Sequence, residues 1–257
     1  MKRIDKSIRK KLAGIALLSV ELLIVLAIFL FALIVFTLLA YGVLKMGNDQ
    51  FDFYVFDKVG NLVTPFTTRF MQFITFFGNH KFLIPANLVL IVYFLFIKKR
   101  RWYSIKIPVI ATGGVLLMFI LKFIFNRPRP LIPLLEPVKG LSFPSGHAMM
   151  SMSFYGLLIF LVWENINNKF WKWTFTWLLF AFILLIGFTR IYLRLHYFSD
   201  VIAGFSVGII WLSISIYAMR RIERYSRRKI EPVINELDKA DGVVAESSSA
   251  QAIGNKQ

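Results

Sequence analysis

Residues 189–200 read Thr-Arg-Ile-Tyr-Leu-Arg-Leu-His-Tyr-Phe-Ser-Asp and set two arginines, a histidine and an aspartate between two long apolar runs. His196 and Asp200 are four positions apart, so one helical turn can bring the carboxylate to the imidazole. Such a partner holds one ring tautomer and leaves the other nitrogen open for chemistry. A charged patch in hydrocarbon costs several kcal/mol, which puts this stretch at a membrane surface or against a polar cavity. The same residues also suit a pair of snorkelling arginines around an interfacial histidine, and the stretch alone does not choose between the two.

Two further stretches carry reactive side chains. Lys122 ends an apolar run and is followed by Asn126-Arg127-Pro128-Arg129-Pro130, a lysine, six residues, then Arg-Pro. Guanidinium forks match phosphate oxygens two at a time, so the arrangement suits an anionic group. It equally suits a span anchored at lipid headgroups. Phe143-Pro144-Ser145-Gly146-His147 opens the next apolar run. Ser145 is a good N-cap, Gly146 admits close approach to the backbone, and the free amides of a helix start attract an anion. His147 then falls in the first turn. An ordinary Pro-Ser helix start is the alternative.

The elements that must position these residues are membrane helices. Of 257 residues, 57% are hydrophobic and 27 are phenylalanine, against about 45–50% apolar in a soluble domain. The expected fold is all-α, a polytopic membrane protein with six transmembrane helices and a short extracytoplasmic amphipathic helix. The first span, about Leu22 to Val43, is read as an uncleaved one, because its apolar run is too long for a signal peptide. The others are Phe82 to Ile97, Ile107 to Phe125, Ala148 to Trp163, Trp173 to Phe188 and Val201 to Met219. Gly47 to Gln50 reads as a loop. Phe66, Phe70, Phe73 and Phe77 recur at helical spacing and give the amphipathic helix, lying on the membrane surface or wedged between spans. Gly204 and Gly208 form a small-xxx-small pair that lets the last span pack closely on a neighbour.

The formal charge is +17. It sits in short clusters between apolar runs, which points to topology and anionic headgroups, and with no soluble basic domain nucleic acid is not an expected partner. Six alternating spans put the basic N-terminus, residues 98–106, 165–172 and 220–229 on one side, which the positive-inside rule makes cytoplasmic together with both termini. The three reactive stretches all fall on the opposite, extracytoplasmic face of a cell membrane. The domain reading is a basic cytoplasmic or interfacial segment 1–21, a membrane domain 22–219, and a basic segment 220–257 whose polar tail from Glu231 has a disordered composition. No cysteine is present, so disulfides and thiolate metal sites are excluded.

Lys122-x6-Arg129-Pro130, Pro144-Ser145-Gly146-His147 and Arg190-x5-His196-x3-Asp200 together resemble the three-part signature of the type 2 phosphatidic acid phosphatase family. That superfamily also includes bacterial acid phosphatases and vanadium-dependent haloperoxidases. The third motif usually opens Ser-Arg and here opens Thr189-Arg190, which keeps the hydroxyl. The resemblance implies a membrane lipid phosphatase that needs no metal or other cofactor. It implies His196 as nucleophile, Asp200 as its orienting partner and His147 as the acid for the leaving oxygen. Lys122, Arg129 and Arg190 would hold the phosphoryl oxygens, with hydrogen bonds from Ser145 and the Gly146 amide. The implied partner is a membrane lipid carrying a phosphate or diphosphate: phosphatidylglycerol phosphate, phosphatidic acid or undecaprenyl diphosphate. Two alternatives are transfer of phosphate to an acceptor other than water, and a non-catalytic lipid-phosphate binder or transporter, although mere capture does not call for the full His147, His196 and Asp200 set. Arg127 and Arg194 suit either headgroup contact or snorkelling; Glu21 and His80 read as interfacial.

Overall fold

The structure, a computed structural model, describes residues 6–46, 50–134, 139–230 and 232. Among them the secondary structure is helical throughout. Helix α1 spans Lys6–Tyr41 and runs into a π-helical turn at Gly42–Met46; α2 is Gln50–Gly60, α3 Pro65–Phe76 and α4 His80–Val92 with a π-helical turn at Tyr93–Ile97. Then come α5 (Arg101–Phe125), α6 (Gly146–Asn165), α7 (Lys169–Tyr192) and α8 (Phe198–Tyr225), which closes on a third π-helical turn at Ser226–Ile230. Six helical segments are long and apolar enough to cross a membrane: Leu22–Lys45, Pro65–Ile97, Arg101–Phe125, Gly146–Asn165, Lys169–Tyr192 and Phe198–Ile230. The chain divides into two compact units, Met1–Ile214 and Ser215–Gln257. In the second, Arg227 pairs with Glu223 one turn earlier at 3.1 Å. The tail reading from Glu231 falls, apart from Pro232, outside the described residues, as does most of the Gly47 to Gln50 loop.

Local chemistry explains where the helices start. Thr64 caps α3 through a reciprocal box with Thr67, and Pro65 stands at the first helical position, where its missing N–H is not needed. The Asn79 side chain caps α4 by accepting from the Lys81 amide, and Asn168 caps α7. Two features differ from the sequence reading. The run taken as one span at Phe82 is preceded by α3 and broken from it at Phe77 to Asn79, so α3 and α4 together make the second crossing-length segment. Helix α2 was not expected: Gln50 to Gly60 mixes aromatic, acidic and basic residues with no clean apolar stripe.

The protein carries apolar side chains outward and polar ones inward, the distribution a lipid environment selects. Phe31, Phe66 and Phe123 are exposed, whereas Ser145, Ser151, Ser153, Thr189, Arg190, His196 and Asp200 are buried. Of the predicted phenylalanine face, Phe66, Phe70 and Phe73 point outward, whereas Phe77, just past α3, packs on the core beside Phe182; Ile74 is buried and α3 lies against α7. The main apolar core joins Phe56, Ile74, Met152, Phe154, Ile183, Ile186, Val201 and Phe205.

The expected close helix contact is present and binds α8 to α6. A Cβ on Gly204 would stand 2.6 Å from the Ser145 carbonyl oxygen, and one on Gly208 would stand 2.7 Å from Met152 Cβ. Further along the same face α8 reaches α5, where Trp211 Nε1 donates to the Ile110 carbonyl at 2.8 Å. Helices α5, α6, α7 and α8 therefore meet, and the segments joining α5 to α6 and α7 to α8 converge at one end.

Candidate active site

Helix α5 stops at Asn126, whose backbone is left-handed (φ 44°), a conformation asparagine tolerates. The chain then turns back on itself: the Ser142 amide donates to the Arg127 carbonyl at 2.8 Å, and Arg129 Nε donates to the Gly140 carbonyl at 3.2 Å. Lys122 Nζ donates to the Leu141 carbonyl at 2.5 Å, tying the end of α5 to the stretch that leads into α6. The Ser145 amide in turn donates to the Asp200 carbonyl at 2.9 Å. These bonds bring the first and second reactive stretches onto the start of α8.

The third stretch is shaped by the end of α7. The Leu195 amide donates to the Arg190 carbonyl at 3.0 Å and the Arg194 amide to the Ile191 carbonyl at 2.9 Å, the paired bonds of a Schellman cap. Arg194 occupies the position after the cap with φ 53°. Glycine is the usual residue there, and a side-chain-bearing residue in the left-handed region costs about 1–2 kcal/mol. Two residues further on, His196 emerges between α7 and α8. Asp200 lies in the first turn of α8 and accepts the Tyr197 amide through Oδ2 at 2.9 Å, half of a capping box.

The Asp200 carboxylate has no exposure and is the hub of the site. Its Oδ1 accepts from Arg127 Nη1 at 2.7 Å, and its Oδ2 accepts from the Ser142 hydroxyl and lies 3.5 Å from His196 Nδ1. Ser142 Oγ is also 3.4 Å from that same Nδ1. With the Nδ1 proton directed at this oxygen cluster, His196 presents the Nε2 lone pair on its far side. There Arg129 Nη1 stands 3.4 Å away, itself held by the Leu195 carbonyl at 2.9 Å.

The imidazole of His196 is buried and its pKa is held well below the usual histidine value, first by burial and then by the positive charges of Arg190, Arg129 and Lys122. The ring is therefore neutral near pH 7. Burial also lowers the pKa of Arg129, against the opposing pull of Asp200.

The remaining predicted residues close around this pair. Arg190 is buried on α7 and donates through Nη1 to Thr75 Oγ1 of α3 at 2.9 Å. Its Nε has no partner among the described residues, and neither has the buried Ser145 hydroxyl. The hydroxyls of Ser104, Ser151, Ser153 and Ser215 share that status. Gly146 is the first residue of α6, where its amide has no intrahelical acceptor. His147 follows it, within electrostatic reach of Arg190, His196 and Arg129. Its ring is packed by the α3–α4 turn: a Cβ on Gly78 would lie 3.2 Å from His147 Cδ2 and 2.6 Å from Ile186 Cγ2.

Sequence reasoning missed three residues of this network. Arg127, open to two readings in the sequence, does not snorkel: it is buried, stacks 4.0 Å over the Tyr197 ring, and bridges Asp200 to Asp52. Asp52 of α2 accepts from Arg127 Nη2 at 2.9 Å and holds the start of α8 through the Ser199 amide and hydroxyl, at 2.9 and 2.6 Å. Ser142 lies five residues before His147, outside any motif. Nothing in their spacing marked Asp52 or Ser142, because the partners of Asp52 are 75 and 147 residues away.

A buried neutral imidazole backed by a carboxylate and ringed by cations, set at one end of a bundle of crossing-length helices, is an arrangement suited to phosphoryl transfer in a multi-pass membrane protein. Comparison with known proteins agrees. Residues 103–224 match the model of the PAP2 superfamily. The chain is 26% identical over 166 residues to the phosphatidylglycerophosphatase B of Bacillus subtilis, covering 64% of this chain and 81% of that one. It is also 26% identical over 162 residues to an undecaprenyl-diphosphatase of Sulfolobus acidocaldarius, covering 60% and 72%. Among solved structures, the transmembrane PAP2-type phosphatidylglycerolphosphate phosphatase of Bacillus subtilis superposes with a TM-score of 0.68 at 25% identity, over 78% of this chain and 98% of that one. Aquifex aeolicus LpxE superposes with a TM-score of 0.51 at 29% identity, over 64% and 94%. The chain is accordingly a lipid phosphate phosphatase of the metal-independent kind.

Proposed function

We propose that the protein hydrolyses the terminal phosphate of a membrane lipid through a phosphohistidine intermediate, with its active site on the extracytoplasmic face. The observation that carries the mechanism is the polarity of His196: Nδ1 faces the Asp200 carboxylate at 3.5 Å, and Nε2 faces the Arg129 guanidinium at 3.4 Å. The Nε2 lone pair attacks phosphorus, a P–N bond forms and the P–O bond to the lipid breaks. His147 gives a proton to the departing oxygen. The imidazolium formed on His196 is stabilised by Asp200, as in other nucleophile–orienter pairs. Water, losing its proton to the now neutral His147, then attacks the phosphohistidine and releases inorganic phosphate. Lys122, Arg129 and Arg190, with the Ser145 hydroxyl and the Gly146 amide, hold the three phosphoryl oxygens, whose charge shifts as the transition state forms. Arg127 and Ser142 position Asp200.

The catalytic membrane unit in this reading is 22–219, flanked by cytoplasmic segments 1–21 and 220–257. Phosphatidylglycerol phosphate, phosphatidic acid and undecaprenyl diphosphate are the substrate candidates; the names of the two curated relatives support the first and the last. Purified protein in detergent and chelator, assayed on these lipids, is expected to release phosphate. The His196→Ala variant should lose activity by about 10³-fold or more, as removal of a nucleophile does elsewhere. Normal turnover in that variant would overturn the mechanism.

A further inference from the structure

Beside the proposed nucleophile lies a second feature that the single-phosphate reading leaves unused. A cleft of about 320 Å³ is lined by Arg129, Arg194, Leu195, Pro130, Leu131 and Pro133, and through Arg129 it adjoins His196. That is near the small end of the range for ligand clefts, roughly 300–1,000 Å³, so it suits a headgroup and not a lipid chain. Its two charged walls are both arginines. Arg129 already faces His196 Nε2; Arg194 is a further cation lining the same cleft.

Arg194 stands where local geometry favours glycine, at φ 53° in the Schellman cap of α7. Residues held against their backbone preference gather at functional sites, and the inference runs from the outlier to a role. Among the described residues no acidic group pairs with its guanidinium. Nη2 lies over Gly60, 3.3 Å from where a Cβ there would be, so the end of α2 leaves room for it without occupying it. Next to the arginines the lip of the cleft is apolar, with Leu131 and Ile132 exposed, as suits a charged headgroup carrying a lipid chain.

We propose that Arg194 and this cleft form a subsite for a second phosphate group of the substrate, adjacent to the phosphoryl group that is transferred. This rests on the phosphatase reading above and narrows it to lipids with two phosphates in the headgroup. Two sources share that chemistry. In a prenyl diphosphate the second phosphate is the leaving group: the P–O–P bridge breaks on the side of the phosphoryl group passing to His196, and the lipid leaves as a monophosphate whose charge Arg194 receives. In phosphatidylglycerol phosphate the second phosphate is a diester one glycerol away and stays bound unchanged.

The test compares wild type with Arg194→Gly, which relieves the backbone and therefore keeps the fold, and with Arg194→Lys, on phosphatidic acid, phosphatidylglycerol phosphate and a polyprenyl diphosphate. In Arg194→Gly the ratio of kcat/KM for at least one two-phosphate lipid to that for phosphatidic acid should fall about tenfold or more, and Arg194→Lys should recover part of it. A loss in kcat on the diphosphate marks the leaving-group source, and a loss in KM on phosphatidylglycerol phosphate marks the diester source. Inorganic pyrophosphate should also inhibit wild type more strongly than orthophosphate, and this difference should shrink in Arg194→Gly. An unchanged ratio on both two-phosphate lipids overturns the subsite while leaving the phosphatase reading intact. Wild type that releases phosphate from none of the three lipids overturns the phosphatase reading itself.

Discussion

At the scale of single residues, the site depends on how Asp200 is held. Its carboxylate meets a cation, a hydroxyl, an amide and the imidazole, and Arg127 is itself fixed by a second carboxylate from α2. Removing one partner of a buried ion pair leaves an uncompensated charge and costs about 3–5 kcal/mol. Arg127→Ala should therefore lower the thermal midpoint in detergent markedly. Asp52→Asn keeps the Arg127–Asp200 pair and the fold; it should reduce kcat by about tenfold with KM little altered, since Asp52 touches no substrate. A loss confined to KM would show that Asp52 bears on binding instead. The low pKa of His196 has a pH consequence with a definite sign. Below the usual histidine range the unfolded chain takes up a proton that the folded ring refuses, so stability falls as pH drops from that range towards the depressed folded value. The free nucleophile stays neutral over the same interval. The limb of the kcat/KM profile set by His196 should thus lie on the acid side of the ordinary histidine range, and a limb near pH 6.5 that His147→Gln leaves in place would contradict this.

At the scale of elements, close packing of α8 on α6 sets the site's geometry. Gly204 faces the backbone of Ser145, which cannot yield as a side-chain end would. Gly204→Ala should shift the start of α6, cost about 1–3 kcal/mol, and lower kcat along with the melting temperature. Gly42→Ala, with nothing within 4 Å of the added carbon, should melt like wild type. The motifs were legible because charged residues are conspicuous between apolar runs, and the glycine pair was legible from its spacing. Helix α2 was not, since an 11-residue helix of mixed polarity has no periodicity to reveal it. Nor was the role of Arg127: a basic residue beside proline at a span end looks the same whether it faces headgroups or an aspartate 75 residues away. The phenylalanines of α3 announced a helix but drew the eye to its outer face. Its working face is the threonine side, where Thr67 and Thr68 hydrogen-bond the Tyr192 hydroxyl at 2.7 and 3.0 Å and Thr75 holds Arg190.

At the scale of the whole molecule, the charge distribution makes a claim about sidedness. The reactive stretches gather at one end of the helices, and the sequence sets basic clusters at 98–101, 169–172 and 220–229, apart from those stretches. In the proposed orientation, which follows the positive-inside rule, the site faces away from the cytoplasm. A tag placed after Gln257 should resist protease in intact cells and be cut after permeabilisation; cleavage in intact cells would reverse the orientation.

The threonine seam between α3 and α7, together with Asp52 and Gly78, lies upstream of the 103–224 family match. Every residue expected to touch phosphate falls inside that stretch, together with Arg127 and Ser142, whereas Asp52, Thr75 and Gly78, which hold Arg127, hold Arg190 and pack by His147, come from upstream of it. The matched stretch thus carries the reagent, and residues 52–78 supply part of its holder. Swapping the first half of this chain for that of a relative would exchange one holder for another around unchanged reagents, and variation in rate between family members is to be sought there, in parts that never meet the substrate.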